Sequence, residues 1–246
     1  MSDEKVLTKE IAEQFLADEE PLDLDEFTAI EDEAAESLRT FPDCDNIPLY
    51  LNGLTSLSDV AAESLSKYKG SLWLDGLTSL SDAAAESLSQ LNGNLGLDGL
   101  TSLSDAAAES LNKHKGGLNL SGLTSLSDAA AESLGKHKGE LDLGGLTTLS
   151  DAAAEGLSKH EGEELYLNGL TSLSDAAAES FSNHEDDLYL DGLTSLSDAA
   201  AETGMDGSTL SRFLSGERTI NDQLLSELCW YFDLELKPRD PKNQGN

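Results

Sequence analysis

The chain has 246 residues, enough for one or two domains with a real hydrophobic core. Its 48 acidic against 15 basic side chains give a formal charge of −33, which repels phosphate polymers and anionic membranes and favours cations or basic partners. The two cysteines, Cys44 and Cys229, stand in unrelated segments, so neither a disulfide framework nor a zinc pattern can be argued from them.

The opening stretch, "MSDEKVLTKEIAEQFLADEE", is acidic and lacks the apolar run of a signal peptide. No segment approaches the length of a transmembrane helix, so a cytoplasmic chain that does not enter membranes is expected. Within residues 1–48, "LTKEIAEQF" (7–15) has the pattern of a half-repeat whose helix caps a stack. "LDLDEFTAIEDEAAESL" (22–38) is a decayed repeat with Glu26 where a glycine belongs, and "TFPDCDNIP" (40–48) is an irregular connection.

From residue 49 to 202 the chain repeats. The glycines that open "GLTSL" or "GLTTL" are Gly53, Gly76, Gly99, Gly122, Gly145, Gly169 and Gly192, spaced 23 apart with one interval of 24. A period of this size predicts a solenoid, because one unit cannot bury its apolar face alone. In each unit a stretch such as "LWLDG" alternates as a short strand with one buried face, and Asn-Gly or Asp-Gly then turns the chain with φ > 0 at glycine. Leu57, Val60, Ala61, Ser64, Leu65 and Tyr68 follow at helical spacing. Ser58 is the predicted N-cap, Asp59 suits the positive end of the helix dipole, and Gly70 is expected to close the helix. Stacked units would form a parallel sheet on one side and short helices on the other, advancing about 4.8 Å per unit.

These residues resemble short bacterial leucine-rich repeats, the 23-residue BspA-like class, with a Leu-x-Leu strand, an apolar-Thr-Ser-apolar step and a short helix. The resemblance spans roughly residues 5–202 and implies an α/β, leucine-rich-repeat-like solenoid used as a scaffold for binding proteins or ligands.

At residue 203 the repeat changes character. "MDGSTLSRFLSGER" carries a fresh helical pattern, with Leu210, Phe213 and Leu214 at i, i+3, i+4, and "DQLLSELCWYFDL" carries another. Short helices joined by a glycine-containing turn read as a small all-α helix-turn-helix-like module over residues 203–246, the motif starting near 198. The stretch 197–236 resembles the central part of a Cro/C1-type (XRE-like) DNA-binding domain. That resemblance places Ser208, Thr209, Ser211 and Arg212 toward DNA and Arg218 near phosphate, as in a DNA-binding transcriptional regulator. Against it, residues 203–246 hold 7 acids and 5 bases, and the body before them holds 41 and 10. DNA affinity leans on lysine and arginine, so a cap over the last repeat is favoured over DNA contact for this segment.

Stacking turns each repeat position into a column. His114, His137, His160 and His184 share one with Tyr68 and Leu91 on the apolar edge, where buried structural imidazoles are favoured over a metal site. Asp59, Asp82, Asp105, Asp128, Asp151, Asp175 and Asp198 form a second column. Glu63, Glu86, Glu109, Glu132, Glu155, Glu179 and Glu202 follow one turn on. Rows borne on helices offer too few converging oxygens for calcium, so a solvated acidic face is the plainer reading, open to a basic partner. The outward strand position runs Tyr50, Trp73, Gly96, Asn119, Asp142, Tyr166 and Tyr189, aromatic at both ends, as in a protein-binding face with anchors. No nucleophile elbow, metal cluster or phosphate loop is present in the pattern, and no cofactor is implied. A non-enzymatic binding scaffold is the expected function.

Overall fold

The computed structural model describes residues 5–17, 23–40, 47–182, 184, 186–193 and 195–196. The expected C-terminal module, with Ser208, Thr209, Ser211, Arg212 and Arg218, lies outside the described residues, as do Cys44, Cys229, Asp198 and Glu202.

The chain begins with a half-coil. Strand β1 (Val6–Leu7) leads into helix α1 (Lys9–Ala17), and a 3-10 turn (Leu24–Glu26) precedes β2 (Ala29–Ile30) and α2 (Asp32–Leu38). β1 pairs in parallel with β2, Val6 against Ala29 and Leu7 against Ile30, and α1 packs on α2. Leu7 and Ala12 are fully buried there, as a cap over the first coil requires.

Regular strand–helix units of about 23 residues follow: β3 (Leu49–Tyr50), α3 (Asp59–Leu65), β4 (Leu72–Trp73), α4 (Asp82–Leu88), β5 (Leu95–Gly96) and α5 (Asp105–Leu111). They continue as β6 (Leu118–Asn119), α6 (Asp128–Leu134), β7 (Leu141–Asp142), α7 (Asp151–Leu157), β8 (Glu164–Tyr166), β9 (Ser172–Leu173), α8 (Asp175–Ser182), β10 (Asp187–Tyr189) and β11 (Ser195–Leu196). β3, β4, β5, β6, β7, β8 and β10 form one seven-stranded parallel sheet in sequential order. Consecutive helices pack against each other as a second layer. The result is an α/β solenoid.

Identical positions pair across the sheet, Leu49 with Leu72, Leu72 with Leu95, Leu95 with Leu118. The extra residue of the 24-residue interval falls between His160 and Leu165, so Leu141 still pairs with Leu165 and Asp142 with Tyr166. A slip of one residue inside the strand would have turned its leucines to solvent; the loop absorbs it instead.

The core lies between the layers. In the second full coil Leu72, Leu74, Leu77, Ala84, Ala85 and Leu88 are all fully buried. The cap serines work as expected: Ser58, Ser81, Ser104, Ser127 and Ser150 each accept the N–H three residues on.

Three local expectations need correction. Val60 is 56% exposed, because α3 buries Ala61, Ala62 and Leu65 and thereby turns Val60 outward. Leu57 is only partly buried. Gly70 does not close α3, which ends at Leu65 with Ser66 as C-cap in the right-handed helical region.

The turn glycines, finally, are not selected by a left-handed φ, which none of the described glycines adopts. They are selected by close approach. A Cβ on Gly76 would sit 2.1 Å from the carbonyl oxygen of Asn52, and one on Gly99 would sit 2.3 Å from that of Asp75. Gly93, Gly116, Gly139 and Gly162 form a second glycine column, each resting on the carbonyl of the glycine one coil earlier. Glu26 stands at the first turn, beneath which no described turn lies, and there it pairs with Lys5 at 2.6 Å instead.

Candidate functional site

The ladder places three outward columns on the strand face. Tyr50, Trp73, Gly96, Asn119, Asp142, Tyr166 and Tyr189 form the middle one, in register strand by strand. On one side run Pro48, Ser71, Asn94, Gly117, Glu140, Glu164 and Asp187; on the other run Asn52, Asp75, Asp98, Ser121, Gly144, Asn168 and Asp191. Seven carboxylates and no lysine or arginine stand in these columns.

The expected aromatic anchors come together as two separate stacks. Tyr50 and Trp73 lie 6.3 Å apart with planes 12° off parallel, and Trp73 also leans over Gly96. A Cβ on Gly96 would meet the Trp73 ring at 2.3 Å, so the glycine is what lets the indole lie down. At the other end Tyr166 and Tyr189 stack at 4.4 Å and 9°, and both hydroxyls donate to Glu164, at 2.7 and 3.3 Å. Burial, with Glu164 close by, pushes both phenols above their ordinary value.

Between the stacks the middle column is polar. Asn119 donates from Nδ2 to Asp98 at 3.0 Å, and Asp142 accepts the Gly144 N–H at 2.8 Å. The column carrying Asp75 is itself a side-chain ladder. Asn52 accepts the N–H of Asp75, Asp75 that of Asp98, and Asp98 that of Ser121, at 3.0 to 3.2 Å. These bonds fix the carboxylates without neutralising them: no ion pair of the described residues includes Asp75, Asp98, Glu140, Asp142, Glu164 or Asp187. Accordingly burial, then nearby carboxylates, raises the carboxyl of Glu140 above its ordinary value, and burial and Asp98 raise those of Asp75 and Asp142 despite their N–H partners.

The helix face differs. Its aspartates are structural: Asp32, Asp59, Asp82, Asp105, Asp128 and Asp151 each accept the hydroxyl of the cap serine one coil later. Glu63, Glu132 and Glu155 pair with Lys67, Lys136 and Lys159, each four residues on and just past the end of its helix, at 3.0 to 3.3 Å. The acidic helix face is therefore partly compensated, and the strand face is not.

The histidine column is buried, His114, His137, His160 and His184 all being 3% exposed or less. The rings stack 6.2 to 6.3 Å apart along the solenoid. His160 Nε2 lies 3.1 Å from the Gly139 carbonyl, and His184 Nδ1 lies 3.1 Å from that of Ser158. Tyr68 donates to the corresponding carbonyl of Ile47 at 2.6 Å. Carbonyls of Ser89 and Gly93 face His114, and those of Asn112 and Gly116 face His137, without reaching hydrogen-bond geometry. Burial, then the neighbouring imidazoles, lowers His114 and His160 to about 4, the facing carbonyls opposing it. These are buried core imidazoles, and among the described residues no three His, Cys, Asp or Glu side chains converge as a metal-ligand set.

Sequence reasoning missed the Glu164 clasp, the Asp75–Asp98 ladder and the cap-to-cap serine–aspartate bonds. The recurrence of serine before aspartate in every unit, and of Asx before five of the seven turn glycines, was the available signal. No helix of the described residues is long and apolar enough to cross a membrane. No protein-family model matches the chain, and no curated protein matches its sequence.

Proposed function

We propose that this chain is a non-enzymatic protein-binding scaffold of the leucine-rich-repeat kind, and that the strand face is its docking surface. The observation that carries the reading is the pair of aromatic stacks, Tyr50–Trp73 and Tyr166–Tyr189, flanking a strip in which Asp98, Glu140 and Asp142 make no ion pair among the described residues. Binding hot spots concentrate on such part-exposed Trp and Tyr side chains. Their platform is a hydrogen-bonded ladder, so little order has to be created on binding. Asn119 and Asp142 supply the polar centre of the surface. The test is capture of a partner by the full chain against the Trp73→Ala, Tyr166→Ala double variant. Loss of capture with an unchanged melting transition is expected, and unimpaired capture refutes the reading.

A second reading rests on "GSTLSRFLSGER", residues 207–218, and its resemblance to a Cro/C1-type recognition helix. It makes the chain a DNA-binding regulator and is tested by a salt titration of DNA binding by the full chain and its Arg212→Ala variant. A steep salt slope and loss of sequence preference in the variant would establish it.

A further inference from the structure

We infer that the strand face takes an extended, arginine-rich protein segment that crosses the strands and sets a guanidinium at each aromatic stack. This rests on the scaffold reading above and names the chemistry of the partner.

Four observations converge. The face is long and narrow, seven strands in one direction and three outward columns in the other. Its backbone hydrogen bonds are used within the sheet, as in Leu74 N–H to the Gly96 carbonyl at 2.9 Å and Leu97 N–H to that of Asn119 at 2.9 Å. A segment crossing the interior strands on this face therefore finds side chains to bind rather than backbone groups to pair. Next, the three columns hold no lysine or arginine, and Asp75, Asp98, Glu140, Asp142, Glu164 and Asp187 are in no ion pair of the described residues, which repels nucleic acid and draws a cation. Third, Asp75, Asp98, Asp142 and Glu164 are held in place by neutral donors, as where Asp98 accepts from the N–H and hydroxyl of Ser121 at 3.0 and 2.8 Å. Held in this way they lose little freedom on pairing. Fourth, the ends are aromatic. A guanidinium lies flat on such rings while its N–H fork reaches a carboxylate, a combination that a lysine ammonium reproduces poorly. Glu164 accepts from both the Tyr166 and Tyr189 hydroxyls, and Asp75 stands two residues after Trp73, so each stack has a carboxylate beside it.

Length follows from the ladder. Trp73 and Tyr166 sit on β4 and β8, four strand steps apart. At about 4.8 Å per step this is about 19 Å, the reach of about six residues of extended chain.

The experiment is fluorescence anisotropy of labelled 12-residue peptides with the full chain at 0.15 M salt, set near physiological ionic strength. One peptide carries two arginine pairs separated by six Gly/Ser residues; a second has the four arginines contiguous; a third replaces arginine by lysine in the spaced arrangement. The spaced arginine peptide is expected to bind at least fivefold tighter than either of the others. Glu140→Gln with Asp142→Asn should weaken it at least tenfold, whereas Glu132→Gln with Glu155→Gln on the helix face should change it less than twofold. Equal binding of the lysine or contiguous peptide, or equal losses from the two faces, overturns the proposal in favour of bulk charge attraction. If no arginine peptide binds while the Trp73→Ala, Tyr166→Ala chain still loses a captured partner, this proposal falls and the scaffold reading stands. If neither is seen, both fall.

Discussion

Ser127 donates its hydroxyl to the carboxylate of Asp105, the first helical residue of the preceding coil, while accepting the N–H of Ala130 at 3.0 Å. One side chain thus caps its own helix and ties it to its neighbour. Five further serine–aspartate pairs repeat the arrangement from Ser58–Asp32 to Ser174–Asp151. In a solenoid, where each coil touches only its neighbours, such nearest-neighbour bonds set how cooperatively the stack melts.

Ser127→Ala should therefore lower stability by about 1 kcal/mol through the lost cap. A double-mutant cycle with Asp105→Ala, followed by urea denaturation, should give a coupling of about 0.5–1 kcal/mol. Zero coupling would reduce the serine to an ordinary cap.

Gly144 and Gly145 are adjacent, yet alanine should be tolerated at only one of them. A Cβ on Gly145 would lie 1.9 Å from the Ser121 carbonyl oxygen, a backbone atom that cannot step aside. At Gly144 the nearest atom is Asp142 Oδ1, 3.0 Å away at the end of a side chain. Gly145→Ala should cost about 3 kcal/mol or prevent folding, and Gly144→Ala should stay within about 1 kcal/mol of the parent. Comparable melting temperatures for the two variants would contradict the close-approach account of the turn glycines.

The buried imidazoles give the fold an acid limit. Their ordinary value is 6.5, and burial holds His114 and His160 at about 4 in the folded chain. Between these values the unfolded chain binds more protons, so stability present above pH 6.5 is lost as the pH falls toward 4. The loss amounts to about 3 kcal/mol for each of the two. Asp75, Glu140 and Asp142, raised in the folded state, act oppositely and recover some stability as they protonate. Replacing His114 and His160 by leucine, the residue that already fills this column at Leu91, should flatten the stability profile between pH 6.5 and 4. An unaltered profile would mean that other groups set the acid limit.

Asp142→Asn should stabilise the chain at pH 7 by a few tenths of a kcal/mol, because it removes a part-buried charge near Asp98 and keeps an acceptor for the Gly144 N–H. The same change should weaken a basic ligand. A variant that loses stability would show that the charge supports the fold.

Much of this architecture is written along the chain. The period of 23, the buried pair Leu72 and Leu74, the cap at Ser58 and the half-coil before residue 17 all follow from local periodicity and from turn and cap chemistry. The aromatics Trp73 and Tyr166 were readable as members of one outward column for the same reason. The C-terminal motif with Arg212 remains a reading of the sequence.

Contacts between coils were another matter, because they depend on the rise and sideways offset from one coil to the next. That offset, absent from any single unit, brings the Ser127 hydroxyl to Asp105 and lays the Trp73 indole over Gly96. It also sets each turn glycine against the carbonyl beneath. Local pattern chose which residues face inward; only the stacking of one coil on another chose what each of them touches.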